Sequence, residues 1–118
     1  MRLRSIEEFF QQGIDLFNEG RFFESHEAWE QAWLRSGGME KLFYQGLIQA
    51  AAAILHAQRG NLEGAKSLWA KAIDKLGPLP DGYGGIALDE LRRALAKFFD
   101  PLPGADRTDK LPTIKRLA

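Results

Sequence analysis

A chain of 118 residues has the length of one domain and can bury a single hydrophobic core, not two. Its 45% apolar residues beside 27% charged ones match an ordinary soluble globular protein rather than a disordered or membrane-embedded one. Sixteen basic residues balance sixteen acidic ones, which leaves no net field to hold nucleic acid or an anionic membrane, and the absence of cysteine removes disulfides, thiol catalysis and thiolate metal ligands.

The first eight residues, Met1-Arg-Leu-Arg-Ser-Ile-Glu-Glu8, become charged before any apolar run builds, unlike a secretory signal. Ser5 and Glu8 form a capping-box pattern, and apolar residues then recur at Ile6, Phe9, Phe10, Ile14 and Phe17, the spacing of a helix that Gly20 stops. A second helix is predicted from about Phe22 to Arg35, ended by Gly37 and Gly38. The third runs from about Glu40 to Arg59 and is nearly uncharged from Leu42 to His56, as a central, mostly buried helix would be. Its most apolar segment, Leu47 to Leu55, is too short to span a bilayer. Gly46, Ala50, Ala53 and Ala57 make one stripe of small residues along it, so a neighbouring helix can approach closely.

Gly60 and Asn61 break the chain before a fourth helix carrying Leu62, Ala65, Leu68, Trp69, Ala72, Ile73 and Leu76, which Gly77-Pro78 ends. The loop from Pro78 to Gly85 is rich in glycine and proline. Its Gly82-Tyr-Gly-Gly85 cluster lacks the lysine and preceding strand of a phosphate loop and reads as a plain connection. A fifth helix follows with Leu88, Leu91, Leu95 and Phe98, and after Pro101 the pattern fails. The expectation is an all-α fold: one helical domain over residues 1–100, then an irregular tail over 101–118 that lies over the body or frays.

An internal repeat organises the helices. A shift of forty places Gly20 on Gly60, Phe22 on Leu62, Trp29 on Trp69 and Ala32 on Ala72, and upstream Phe10 on Ala50 and Ile14 on Ile54. Two helical hairpins, each with a glycine turn and an apolar anchor on its second helix, account for this. The spacing is reminiscent of degenerate, lengthened tetratricopeptide units, with the fifth helix as a cap. The same shift places His26 on Lys66, Glu27 on Ser67, Glu30 on Ala70 and His56 on Leu16, so a hairpin does not need those polar groups to fold.

On the second helix, Phe22, His26, Trp29 and Trp33 share a stripe bordered by Glu27 and Glu30, with Glu24 one turn before Glu27. His26 and Glu30 are four apart, which puts their Cβ atoms roughly 5–6 Å from each other on one helix face. The pair could grip one ion or one proton, or equally serve as a buried hydrogen-bonded pair that fixes packing. On the third helix Gln45, Gln49, Ala52 and His56 form a polar stripe. If the two helices pack antiparallel across Gly37-Gly38, His26 and Glu30 come near Gln49 and His56.

The run Glu24-Ser-His-Glu-Ala-Trp-Glu-Gln-Ala-Trp33, then Phe43-Tyr-Gln-Gly-Leu-Ile-Gln-Ala-Ala-Ala53, then Gly60-Asn-Leu-Glu-Gly-Ala65 resembles the domain-of-unknown-function 309 family over roughly residues 8 to 77. The resemblance implies a small helical protein of bacterial or archaeal type. Its His-x-x-x-Glu-x-x-Trp/Tyr signature falls here on His26, Glu30 and Trp33, and it implies a suggested metal site but no reaction. His56, Glu27 and Gln49 are additions from the helix geometry.

Two classes of function follow. One is a scaffold or interaction module, because stacked hairpins form grooves that take a protein partner or allow self-association. The basic residues near the C-terminus are too sparse for nucleic acid, whereas Leu111, Ile114 and Leu117 offer apolar contacts to a partner. The other is a divalent-metal protein, with a hydrolytic one among the alternatives. In it His26 and Glu30 would be ligands of one transition metal, His56 the third ligand, and Glu27 a fourth ligand or general base. No nucleophile or oxyanion hole can be named, so the sequence does not say whether the chain is an enzyme. The composition favours a cytoplasmic location.

Overall fold

A computed structural model of the chain describes residues 3–100 and 111–117. Among them are five α-helices: α1 (Ile6–Asn18), α2 (Phe22–Arg35), α3 (Gly38–Gln58), α4 (Leu62–Leu76) and α5 (Leu88–Phe99). A 3-10 turn at Tyr83–Gly85 precedes α5. No strand occurs among the described residues beyond an isolated antiparallel bridge between Ile86 and Arg116. None of the described helices is long and apolar enough to cross a membrane.

The capping box starts α1 as the sequence predicts. The Ser5 hydroxyl accepts from the Glu8 backbone N–H at 3.1 Å, and the Glu8 carboxylate accepts from the Ser5 N–H at 3.0 Å. The first hairpin is then tied by two buried side chains of α2 that donate to α1 carbonyls. Ser25 Oγ reaches Gly13 O at 3.0 Å, and Trp29 Nε1 reaches Phe10 O at 3.1 Å. Both satisfy polar atoms that burial would otherwise leave unpaired.

The forty-residue repeat survives as repeated turn geometry. Gly20 and Gly60 sit at φ of +79° and +82°, a left-handed conformation that glycine adopts without steric cost. At the first turn Gly20 N–H bonds Phe17 O at 3.0 Å and Arg21 N–H bonds Leu16 O at 2.9 Å; at the second, Gly60 N–H bonds Ala57 O at 3.1 Å and Asn61 N–H bonds His56 O at 2.9 Å. Both are the paired bonds that end a helix on a left-handed residue. The core positions also match, since Phe10 and Ala50, Ile14 and Ile54, and Ala32 and Ala72 are all buried. The match fails at Phe22, which is buried, against Leu62, which is 39% exposed, and at the fully buried Trp29 against the half-buried Trp69.

The hairpins α1/α2 and α3/α4 join through the packing of α2 on α3. The third helix starts at Gly38, two residues before the position the sequence suggests, with Gly37 as its N-cap directly after Ser36, the C-cap of α2. Its small-residue stripe does what its composition predicts. Gly46, Ala50, Ala53 and Ala57 are buried, and a Cβ at Gly46 would come within 2.8 Å of Leu76 Cδ2 on α4.

The fifth helix buries Leu88, Leu91, Leu95 and Phe99, one residue later than the Phe98 read from the sequence. Phe99 stacks on Trp69 of α4 with ring centroids 5.0 Å apart. Arg92 of α5 donates to the carbonyls of Leu76 and Leu79 at 2.7 and 2.8 Å, satisfying acceptors at and just beyond the end of α4.

The C-terminal segment is irregular, and its described part lies over the body. Ile114 is only 3% exposed, and its backbone N–H and C=O are both held by the Asn18 side chain, at 2.7 and 2.8 Å. Ala87 N–H donates to Lys115 O and Leu117 N–H donates to Gly85 O, each at 2.9 Å. The expectation that Ile114 offers an apolar contact to a partner is therefore corrected, since it is spent in the chain's own core. Leu111 and Leu117 remain exposed. The tail residues Pro101 to Lys110 lie outside the described residues.

Candidate functional site

Helix α2 buries Phe22, Ser25, Ala28, Trp29 and Ala32. His26 and Trp33 fall at the edge of that face and are half-buried, while Glu27 lies on the exposed side. This is the consequence of 3.6-residue periodicity: once Trp29 points into the core, His26 and Trp33 are each turned partly away from it. Opposite them, α3 turns Gln45, Ile48 and Gln49 outward from its buried side. Together Glu30, Trp33, Gln45, Ile48 and Gln49 line a groove of about 310 Å³ between the two helices.

His26 Nε2 lies 3.2 Å from Glu30 Oε1, with the side chains 29% and 47% exposed. The ring also stacks on Phe23, centroids 6.4 Å apart. Its other nitrogen, Nδ1, is shut off from solvent without a hydrogen-bond partner, and so is Gln49 Oε1. Buried polar atoms are nearly always paired, so two unspent ones on facing helices mark this region as unusual.

The other residues singled out in the sequence lie in different company. His56 Nδ1 is 2.9 Å from Asn61 Nδ2, and Asn61 Oδ1 at the same time caps α4 by accepting from Gly64 N–H at 3.1 Å. Glu24 accepts from Arg21 Nε at 2.9 Å, and that guanidinium holds its carboxyl below the usual glutamate range. The structure thus brings His26 and Glu30 together and sets Gln49 beside Glu30 in one groove. Among the described residues no three histidine, aspartate or glutamate side chains converge into a group that could hold a metal ion.

Sequence reasoning passed over Lys41 and Ile48. The Lys41 ammonium sits 4.3 Å from the ring centroid of Trp33, a groove residue, in a cation–π contact. No periodicity could reveal it, because the two residues stand on different helices across the Gly37-Gly38 turn. Ile48 could have been found, since it lies one turn from Gln45 and Ala52 on the same stripe.

Residues 10–68, which include α2, α3 and the groove, match the family model described as Domain of unknown function (DUF309). The chain belongs to this family. An uncharacterized protein of Aquifex aeolicus (strain VF5) is 34% identical to this DUF309 member over 80 residues, which are 67% of this chain and 24% of that protein. The aligned part of the chain thus spans about a quarter of the relative's length.

Proposed function

We propose that this DUF309 chain is a protein-interaction module whose groove between α2 and α3 seats an extended segment of a partner protein. The observation that carries the reading is the unspent hydrogen-bonding capacity at Gln49 Oε1 beside the Trp33 and Ile48 surfaces. A buried acceptor without a partner costs about 1–3 kcal/mol, which a donor from a bound segment would recover once the Gln49 side chain turns its amide into the groove.

The spacing suits a peptide backbone. Gln45 and Gln49 are one helical turn apart, about 6 Å along the axis. Alternate residues of an extended chain are spaced about 6.6–6.8 Å apart and present their backbone groups on the same edge. Two amides that each donate and accept can therefore meet successive outward-facing peptide groups. Trp33 and Ile48 would take an apolar side chain between them. The test is selection of a random-peptide display library on the folded domain. Enrichment of extended segments with one apolar anchor, and their loss on Gln45→Ala and Gln49→Ala variants, is the expected result. Selected peptides that bind the variants and the parent alike would reject the groove.

A second reading has one observation in its favour, the 3.2 Å approach of His26 Nε2 to Glu30 Oε1. Imidazole nitrogen and carboxylate oxygen suit a divalent transition metal. The donor set fits only in part, because these two groups supply half of a tetrahedral shell and His56 is bonded to Asn61. Elemental analysis of protein purified without chelator decides it: stoichiometric metal lost in His26→Ala supports the reading, and metal-free protein sinks it.

A further inference from the structure

A separate cleft of about 470 Å³ lies between the start of α1, the start of α3 and the 3-10 turn. Its walls are aromatic. Phe10 and Phe43 have centroids 5.8 Å apart, Phe10 and Tyr44 5.5 Å, and Phe43 and Tyr83 4.9 Å. Two carboxylates, Glu7 and Glu40, also line it. The Tyr44 hydroxyl donates to Glu40 Oε1 at 3.1 Å. Burial first, then the charges of Glu40 and Glu7, raise the Tyr44 pKa, so the phenol stays a neutral donor.

The chain already uses this chemistry on one side of the cleft. The Arg116 guanidinium lies 5.2 Å from the Phe10 ring centroid, with Nη2 2.6 Å from Glu7 Oε1. Glu40, by contrast, has no cationic partner among the described residues. We propose that the cleft binds a free organic cation, an alkylamine or alkylguanidine, with its charged head on Glu40 and its carbon stem against the half-buried Tyr83, above the nearly buried Phe43 and Tyr44. Ring faces attract a cation through their quadrupole, and a carboxylate fixes where the charge sits. Small-ligand sites are commonly mostly apolar concavities with a few convergent polar groups, at volumes of about 300–1,000 Å³.

Glu7 and Glu40 also stand in the first turns of their helices, where acids offset the helix dipole. That role needs no aromatic cleft between them. The proposal does not rest on the groove between α2 and α3.

The experiment is an NMR titration of the full chain with agmatine, with 1-butanol as the neutral control. Saturable shifts at the Gly84 amide and the Tyr83 ring, with a Kd below about 10 mM, are expected for agmatine and absent for 1-butanol. Glu40→Gln keeps an acceptor for Tyr44 at an exposed position, so the thermal midpoint should fall by no more than the small helix-dipole contribution while agmatine binding weakens at least about tenfold. Equal responses to 1-butanol, undiminished binding by Glu40→Gln, or no saturation would each overturn the site. A short arginine peptide that bound tenfold tighter than agmatine would overturn the assignment to a free small molecule.

Discussion

At Gly13 a single missing Cβ decides how closely the first hairpin packs. A methyl group there would lie 2.1 Å from Trp29 Nε1, inside a ring that is fully buried and bonded to Phe10 O. Alanine is the better helix former by about 1 kcal/mol. Overpacking against a fixed indole costs about 1–3 kcal/mol or more, so the clash should win. Gly13→Ala is expected to lower the urea midpoint by a net loss of about 1–2 kcal/mol, and an unchanged or raised midpoint would show that Trp29 can move aside. The importance of Gly13 was not legible in the sequence, where it sits unremarked inside the apolar spacing of α1. Ser25 was missed for the same reason. Its burial follows from what α1 places opposite it, and spacing along α2 does not carry that information.

At the scale of elements the sequence was most informative where glycine and apolar period agreed. The ends of α2 and α4 fall where Arg35 and Leu76 place them. The forty-residue shift correctly paired the two turns, because a left-handed residue at Gly20 and Gly60 is a local requirement that leaves a local mark. The entry into α5 left no such mark. Its N-cap, Ala87, has no side-chain oxygen, and the cap is supplied from a distance by Asp81, whose carboxylate accepts from Asp89 N–H at 3.0 Å. That bond, the largest cause, holds the Asp81 carboxyl below its ordinary 3.8. A depressed carboxyl stabilises the fold fully above its ordinary value, and the contribution fades as pH falls through the lower folded value. The stability difference between the parent and Asp81→Ala should therefore be constant near neutrality and shrink as pH falls below 3.8, when followed by urea unfolding. A difference that persisted unchanged into strong acid would mean the carboxylate charge is not what caps α5.

For the whole molecule, the described end of the chain acts as a strap across its beginning and its last helix. Asn18 at the end of α1 grips both backbone groups of Ile114, and the flanking backbone bonds reach Gly85 and Ala87. The Asn18–Ile114 bonds join residues 96 positions apart and the flanking bonds join segments on either side of α5, which is why no sequence pattern announced them. The irregularity was legible and the anchoring was not. Ile114→Ala should cost about 2–4 kcal/mol, as for other buried aliphatic truncations. A loss below about 0.5 kcal/mol, the range of surface substitutions, would show that the strap is not part of the core. The candidate site divides in the same way. The His26–Glu30 approach was written in a four-residue spacing, whereas the groove beside it depends on how α2 meets α3, and His56 was drawn off by Asn61.

The measurement that bears most directly on the proposed function is the binding isotherm of one display-selected peptide, recorded by calorimetry on chelator-treated protein and on its Gln49→Ala variant. Saturable binding without added metal is expected, weakened about tenfold or about 1.4 kcal/mol in the variant at an unchanged thermal midpoint. Binding that ignores Gln49, or that appears only after zinc is restored, would contradict the proposed function and move the chemistry to His26 and Glu30.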